Sequence, residues 1–222
     1  MKIKHSVLTP AEVRKYYNQF GRKQDFQGFY ENPALDDLIA HAGFHDAKKV
    51  FEFGCGTGKF ASRLLGEHLS SSARYLACDV SSVMLNLATQ RLAPYLERAT
   101  VIRSDGSIRF PLSDCSVDHV ISNYVLDLLS DEDILLVFAE AHRVLTSGGK
   151  LCLVSLTNGV TFLSKTVSFI WMALFRFRPT LVGGCRPILL ESYLDQERWQ
   201  SKYQKVVTPF GVPSEVFILI KR

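Results

Sequence analysis

Between Lys49 and Lys59 the chain runs Lys-Val-Phe-Glu-Phe and then Gly54-Cys55-Gly56-Thr57-Gly58, with glycines at alternate positions. The apolar run reads as a strand, and Lys59–Leu69 reads as a helix. The glycines therefore sit at a strand-to-helix turn, where a backbone without Cβ can bend tightly and admit a ligand against the main chain. The helix that follows opens on free N–H groups and the positive end of its dipole, which suit a phosphate or a carboxylate equally well. Two common glycine patterns fail here. The residue three after Gly56 is Lys59, which breaks the dinucleotide pattern G-x-G-x-x-G, and no G-x-x-x-x-G-K-[ST] passes through these glycines.

The alternation continues downstream. Arg74–Asp79 is a second strand, and Ser81 caps a helix through about Leu92 because its hydroxyl accepts from a free backbone N–H. Ala99–Arg103 and Val117–Ser122 are the third and fourth strands. Ser130, with Asp133 three residues on, opens a helix expected to run through Leu145 and to end on Gly148 and Gly149 as a left-handed C-cap. Lys150–Leu156 is a fifth strand, and Val206–Thr208 and Glu215–Ile220 are close enough to pair as an antiparallel hairpin. This order predicts an α/β fold of βαβ units, with a mostly parallel sheet covered on both faces. Ligands of such sheets bind at the C-terminal strand edges, here just after Phe53, Asp79, Arg103 and Ser122.

The chain has 222 residues, 47% of them hydrophobic and 22% charged, which suits one domain with a real core and excludes a disordered or fibrous chain. A net charge of +4 falls short of a strong nucleic-acid footprint. Cys55, Cys78, Cys115, Cys152 and Cys185 include no CxxC pair, so neither a zinc site nor a disulfide framework follows, and reduced thiols in the cytoplasm are expected. The opening Met1–Pro10 has no apolar leader core, and the longest apolar run, Val167–Phe175, is too short to span a bilayer.

Glu52-x-Gly54-x-Gly56-x-Gly58 resembles motif I, E/D-x-G-x-G-x-G, of the class I S-adenosylmethionine (SAM) dependent methyltransferases. Arg143-Val144-Leu145-Thr146-Ser147-Gly148-Gly149 is similar to that family's R-V-L-x-P-G-G corner, with Ser147 in place of Pro. The resemblance is to the ubiquinone/menaquinone-biosynthesis-like (methyltransferase type 11) group and is specific over about Lys48–Leu156. It implies a Rossmann-like seven-stranded sheet in the order 3-2-1-4-5-7-6 with an antiparallel last strand, SAM as cofactor and S-adenosylhomocysteine as product. It also implies a donor site made by Glu52, Gly54, Cys55, Gly56 and Gly58. Asp79 would accept from the ribose hydroxyls, although the residue also reads as a helix N-cap. Val80 and Met84 would offer apolar surface to the adenine. Asp105 would accept from the 6-amino group beside the Gly106 N–H, although Asp-Gly also reads as a plain turn. Asn123 to Asp127, after the fourth strand, would face donor and acceptor. The N/D-P-P-Y/F signature of nucleic-acid amino-methyltransferases is absent.

The flanks carry the acceptor expectations. Asp127 is a candidate base, because apolar neighbours raise a carboxylate pKa, and it also reads as a loop acid beside Ser130. His119 reads as structural. His41 and His45 are separated by Gly43, which argues for a helix end, and no metal is expected. Thr9-Pro10-Ala11-Glu12 starts a helix. Residues 1–45 are expected as a helical lid, with Tyr17 as a second catalytic candidate and Gln24, Asp25 and Tyr30 within reach of the acceptor, unless these aromatics only pack. Residues 46–156 form the donor-binding core, 157–204 a helical cap and 205–222 the hairpin. Within the cap, residues 160–179 read as a helix that is apolar nearly all round, either a core or dimer helix or one with Trp171 over a lipophilic acceptor and Lys165, Arg176 and Arg178 suited to a membrane surface. Arg186, beside two glycines, reads either as a ligand for an acceptor anion or as part of a structural turn, and Cys185 beside it lacks a visible partner base that would make its thiol reactive. The expected function is methyl transfer to a small hydrophobic acceptor by a monomer or homodimer, without nucleic acid. A macromolecular acceptor and a catalytically silent SAM-binding partner are the alternatives.

Overall fold

A computed structural model describes residues 7–222; the first part of the segment read for a leader, Met1–Ser6, lies outside the described residues. Seven strands form one sheet: β1 (Lys49–Phe53), β2 (Arg74–Asp79), β3 (Ala99–Arg103), β4 (Val117–Asn123), β5 (Leu145–Leu156), β6 (Trp199–Val207) and β7 (Ser214–Lys221). Their order is β3-β2-β1-β4-β5-β7-β6. The first five pair in parallel, and β7 runs antiparallel between β5 and β6. Successive residues of the central strands alternate between two apolar layers, because side chains on a strand point to opposite faces. Val50, Cys152, Val154, Val216 and Ile218 pack into one layer. Phe51, Leu151, Leu153, Phe217 and Leu219 pack into the other.

The helices are α1 (Pro10–Phe20), α2 (Gly28–Ala42), α3 (Lys59–Arg63), α4 (Ser82–Arg91), α5 (Asp131–Val144) and α6 (Phe162–Phe177). Ala34, Leu38 and Ala42 of α2 join α3 and α4 over the first layer, whereas Ile134, Val137, Phe138 and Ala141 of α5 cover the second. Thus most of α2 packs on the sheet rather than over the strand ends, where Pro10, Val13 and Tyr17 of α1 and Gln24 of the turn Gly21–Gln27 line a cavity. Thr9 and Glu12 form a reciprocal capping box at the start of α1.

Three boundaries differ from expectation. First, α5 stops at Val144 because Leu145 is already extended and opens β5, so Gly148 takes its left-handed φ of 73° inside that strand, where its pairing with β4 is irregular. Second, α3 loosens after one turn into a π-turn at Leu64–His68. Third, β6 begins at Trp199, inside the segment read as cap. This strand is mostly polar and exposed, as sheet edges are when they resist pairing with other chains.

Candidate functional site

The glycine turn folds as its spacing demands. The N–H groups of Gly54 and Cys55 both donate to the Cys78 carbonyl, at 2.9 Å each, which lashes the end of β1 to β2. Gly54 has a φ of +81°, and a Cβ there would lie 2.4 Å from Val125 Cγ2. Gly58 has a φ of +72°, and its Cβ would press on the α4 backbone at Ala88, 2.9 Å away. Asp79 ties the next loop to this one: its Oδ2 accepts from Gly56 N at 2.9 Å and its Oδ1 from Ser81 N at 2.8 Å. Burial raises the Asp79 pKa, against the pull of these N–H groups. The N-cap of α4 is Ser81 rather than Asp79.

Two cavities meet over this turn. The larger encloses about 910 Å³, part of it open to solvent, and runs from Gly54, Gly56, Asp79, Val80 and Gly106 past Tyr17 and Asn123 to Asp133. The second, of about 650 Å³, reaches Glu52, Cys55, Glu31 and Lys59. Gln24, Gly54, Gly56, Asn123 and Tyr124 line both and form the neck between them. At that neck, both amide atoms of Asn123 and the Oε1 of Gln24 are buried without a partner. The cradle therefore fits a ligand that brings its own polar groups, since orphaned buried polar atoms are costly. Burial pushes the Glu52 carboxyl up to about 8, although the Tyr75 hydroxyl donates to it at 2.9 Å.

Beside the neck lies a packed aromatic cluster. Tyr30, Leu156 and Val212 are buried there, with Tyr124, Val167 and Trp171 of α6, and Cys185 packed against them. Asp127 is fully buried in the turn Leu126–Leu128; its Oδ2 accepts from Leu156 N at 3.3 Å, and its Oδ1 has no partner. Burial pushes this carboxyl up to about 7, opposed by backbone N–H groups and by the charge of Arg186. Tyr17 reaches toward Cys185, at 3.9 Å from oxygen to sulfur, and burial holds its hydroxyl protonated well above the ordinary range. Tyr124 has a left-handed φ of 54°, and its hydroxyl donates to Ser214 Oγ at 2.9 Å.

Several expectations are corrected by side-chain direction. Met84 points into the core, 1% exposed, and takes no part in the cavity wall. Asp105 is exposed and closes an Asp-Gly turn by accepting from Ser107 N at 2.8 Å, while the Gly106 N–H is taken by Ser104 Oγ at 3.1 Å. Asp25 is held by Arg91 and Thr57; burial acts against its charge, but these donors lower its pKa. Asp127 sits behind the mouth of the larger cavity and is absent from its wall. Arg186 holds the β4–α5 loop, donating to Leu129 O at 2.9 Å and to Asp131 Oδ1 at 2.8 Å, so its guanidinium is not free for an anion. Burial pushes the Cys185 thiol far up, which makes it inert. Trp171 donates to the Cys185 carbonyl at 3.0 Å and anchors α6 rather than facing either cavity. His119 is structural, within 2.7 Å of Asp118, and no metal-binding cluster occurs among the described residues.

Sequence reasoning missed Glu31. It lines the second cavity, and burial pushes it up to about 7 against the pull of Lys59. As an acid in the first turn of a helix it carries no distinguishing signal in the sequence.

Residues 50–149 match the family described as a methyltransferase domain. The malonyl-[acyl-carrier protein] O-methyltransferase of Erwinia pyrifoliae is 32% identical over 183 residues, covering 81% of this chain and 60% of that protein. The tRNA N(3)-methylcytidine methyltransferase Mettl2 of Drosophila melanogaster is 25% identical over 126 residues, 55% of this chain and 39% of that protein. The chain thus spans three-fifths or less of these curated relatives. The structure of N-methyltransferase NodS from Bradyrhizobium japonicum, solved with S-adenosylhomocysteine, superposes with a TM-score of 0.65 at 16% identity, covering 86% of this chain and 87% of that one. The chain thus carries a methyltransferase domain of the class I SAM-dependent kind over residues 50–149, with SAM as the cofactor of that domain. These matches do not single out the ubiquinone/menaquinone-like group.

Proposed function

We propose that this chain transfers the methyl group of SAM to a small, mainly hydrophobic acceptor held in the apolar arm of the larger cavity, beside Asn123 and Tyr17. One observation carries the reading: the orphaned Asn123 amide lines a cavity that joins a cradle built on Gly54, Gly56 and Asp79 to an apolar wall of Val13, Tyr17, Leu128 and Leu129. SAM supplies a methyl on a sulfonium, already a good leaving group, so the protein's task is alignment and exclusion of water. In this reading Asp79 accepts from the ribose hydroxyls, as paired charge-assisted bonds allow. The opposed charges of Glu31 and Lys59 suit the ammonium and carboxylate of the donor's amino-acid end. Asn123 and Gln24 fix the reacting carbon at the neck. Such alignment contributes up to about 7–11 kcal/mol to the barrier reduction.

The acceptor loses a proton as its new bond to the methyl carbon forms. Asp127, just behind the Leu128 wall, with one carboxylate oxygen unpartnered and a pKa of about 7, takes that proton. Tyr17, held protonated, donates to and orients the acceptor. The outer face of α6 is left for contact with a membrane.

The test is transfer from isotope-labelled SAM into a cell extract separated into lipid, small-molecule, protein and nucleic-acid fractions, with Asp79→Ala as control. Label in the lipid or small-molecule fraction that is lost in the variant supports the reading. Label in protein or RNA, in keeping with what the tRNA-modifying relative's name says of that protein, overturns the acceptor class and keeps the chemistry. SAM binding without label in any fraction favours a silent binding partner.

A further inference from the structure

The helix α6 is turned inside out relative to an ordinary surface helix. Its inward stripe is Ser164, Ser168 and Phe175, with Val167 and Trp171 half-buried beside them. Its outward face carries Phe162, Phe169 and Phe177, which are 89%, 74% and 84% exposed, with Leu163 and Ile170 alongside. These positions recur at helical spacing, so they form one stripe rather than scattered residues. The stripe continues onto other parts of the chain. Leu163 and Val167 press against Gly211, where a Cβ would lie about 3 Å from them. The adjoining Phe210, 76% exposed at a left-handed φ of 51°, meets the exposed Phe29 at 5.7 Å between ring centroids. Three segments far apart in sequence therefore build one exposed aromatic surface, larger in kind than the single apolar residues that ordinary surfaces show.

Charge identifies what this surface meets. Lys165 and Arg176 lie along one edge of the stripe, flanking Phe169 at i−4 and i+7, and Arg178 follows the helix. No Asp or Glu occurs between Glu140 and Glu191. An apolar face edged by long cationic side chains is the arrangement that lies in the plane of an anionic bilayer, with the rings among acyl chains and the cations at the headgroups. A second copy of this chain fits poorly, because a two-fold interface would set this acid-free stretch against itself. The helix has 16 residues, and no described helix is long and apolar enough to cross a membrane.

We infer that the outer face of α6, with Phe210 and Phe29, is an interfacial docking surface for anionic phospholipid. The inference stands apart from the acceptor's identity. The inner face of the same helix packs on the buried aromatic cluster through Val167 and Trp171, so docking would put that cluster next to the bilayer.

The experiment is flotation of the full chain with phosphatidylcholine vesicles, with and without phosphatidylglycerol. The chain is expected to float with the phosphatidylglycerol vesicles and to be released by salt. The combined Phe162→Ser, Phe169→Ser and Phe177→Ser variant should lose about tenfold or more of the binding, and Lys165→Glu with Arg176→Glu should abolish the preference for anionic lipid. All these residues are exposed, and unchanged SAM binding by calorimetry would show that the variants fold. Absence of flotation with anionic vesicles, or flotation of the Phe variant like the parent, overturns the inference. So does a dimer in sedimentation that the same Phe changes dissociate, which would give the surface to a second copy.

Discussion

The two ends of the site are built on different physical terms. On the donor side, at the tips of β1 to β3, the backbone does the work. Gly54, Cys55 and Gly56 are fastened to Cys78 and Asp79 by main-chain N–H groups, so the cradle is fixed before any ligand arrives. On the side we propose for the acceptor, at the tips of β4 and β5, side chains do the work. Asp127 keeps one buried carboxylate oxygen unpartnered, the Tyr17 hydroxyl reaches only the Cys185 thiol, and Arg186 holds the loop beside them. Preformed backbone gives binding without reorganisation, whereas underpaired buried groups store the capacity to exchange a proton.

The sharpest way to break this contrast is Gly54→Ala. It forces a Cβ against Val125 at a positive φ, and SAM affinity measured by calorimetry should fall about 100-fold or more, with lost stability besides. Asp127→Asn should instead lower kcat about 10²- to 10³-fold and leave SAM affinity nearly unchanged. A variant that loses both in parallel would mean that the two sides are not separable.

Acidity sharpens the contrast further. The parent's kcat should fall as pH drops below about 7, because Asp127 then carries its proton and cannot take another. The Asn variant should lose that limb in its pH profile, and Glu31→Gln should keep it while raising the KM for SAM. Stability carries the opposite sign. Asp127 holds its proton more tightly folded than unfolded, so between about pH 4 and 7 the native state binds more protons and stability declines as pH rises. Asp127→Asn should therefore be more stable than the parent at alkaline pH, by up to about 4 kcal/mol in chemical denaturation. The smallest effects are expected from the outer supports. Arg186→Ala should cost about 1–3 kcal/mol of stability with little change in acceptor KM. Trp171→Phe should cost about 1 kcal/mol.

The same contrast explains what could be read from the chain beforehand. The bounds of β1, β2 and β3 follow from apolar runs closed by glycine or Asp, signals local in sequence, and the glycine turn follows from three residues in a row of five. The acceptor side depends on direction and burial, which only the assembled fold decides. Met84 and Arg186 have the right chemistry for a ligand, yet one turns into the core and the other into Asp131. Glu31 looks like any acid opening a helix until the cavity forms over it. The start of β6 was hidden because an edge strand of Gln, Ser and Lys has no apolar alternation to report.

The bond from Tyr124 to Ser214 reaches into the order in which the protein is made. Ser214 opens β7, which inserts between β5 and β6 after every other strand has been synthesised. A nascent chain on the ribosome can thus complete its glycine turn early, but Tyr124 has no anchor and β5 no outer neighbour until residues 214–221 emerge. Unfinished copies would hold a donor cradle beside an unanchored Tyr124. A stalled or truncated product would then be able to sequester cofactor without spending it.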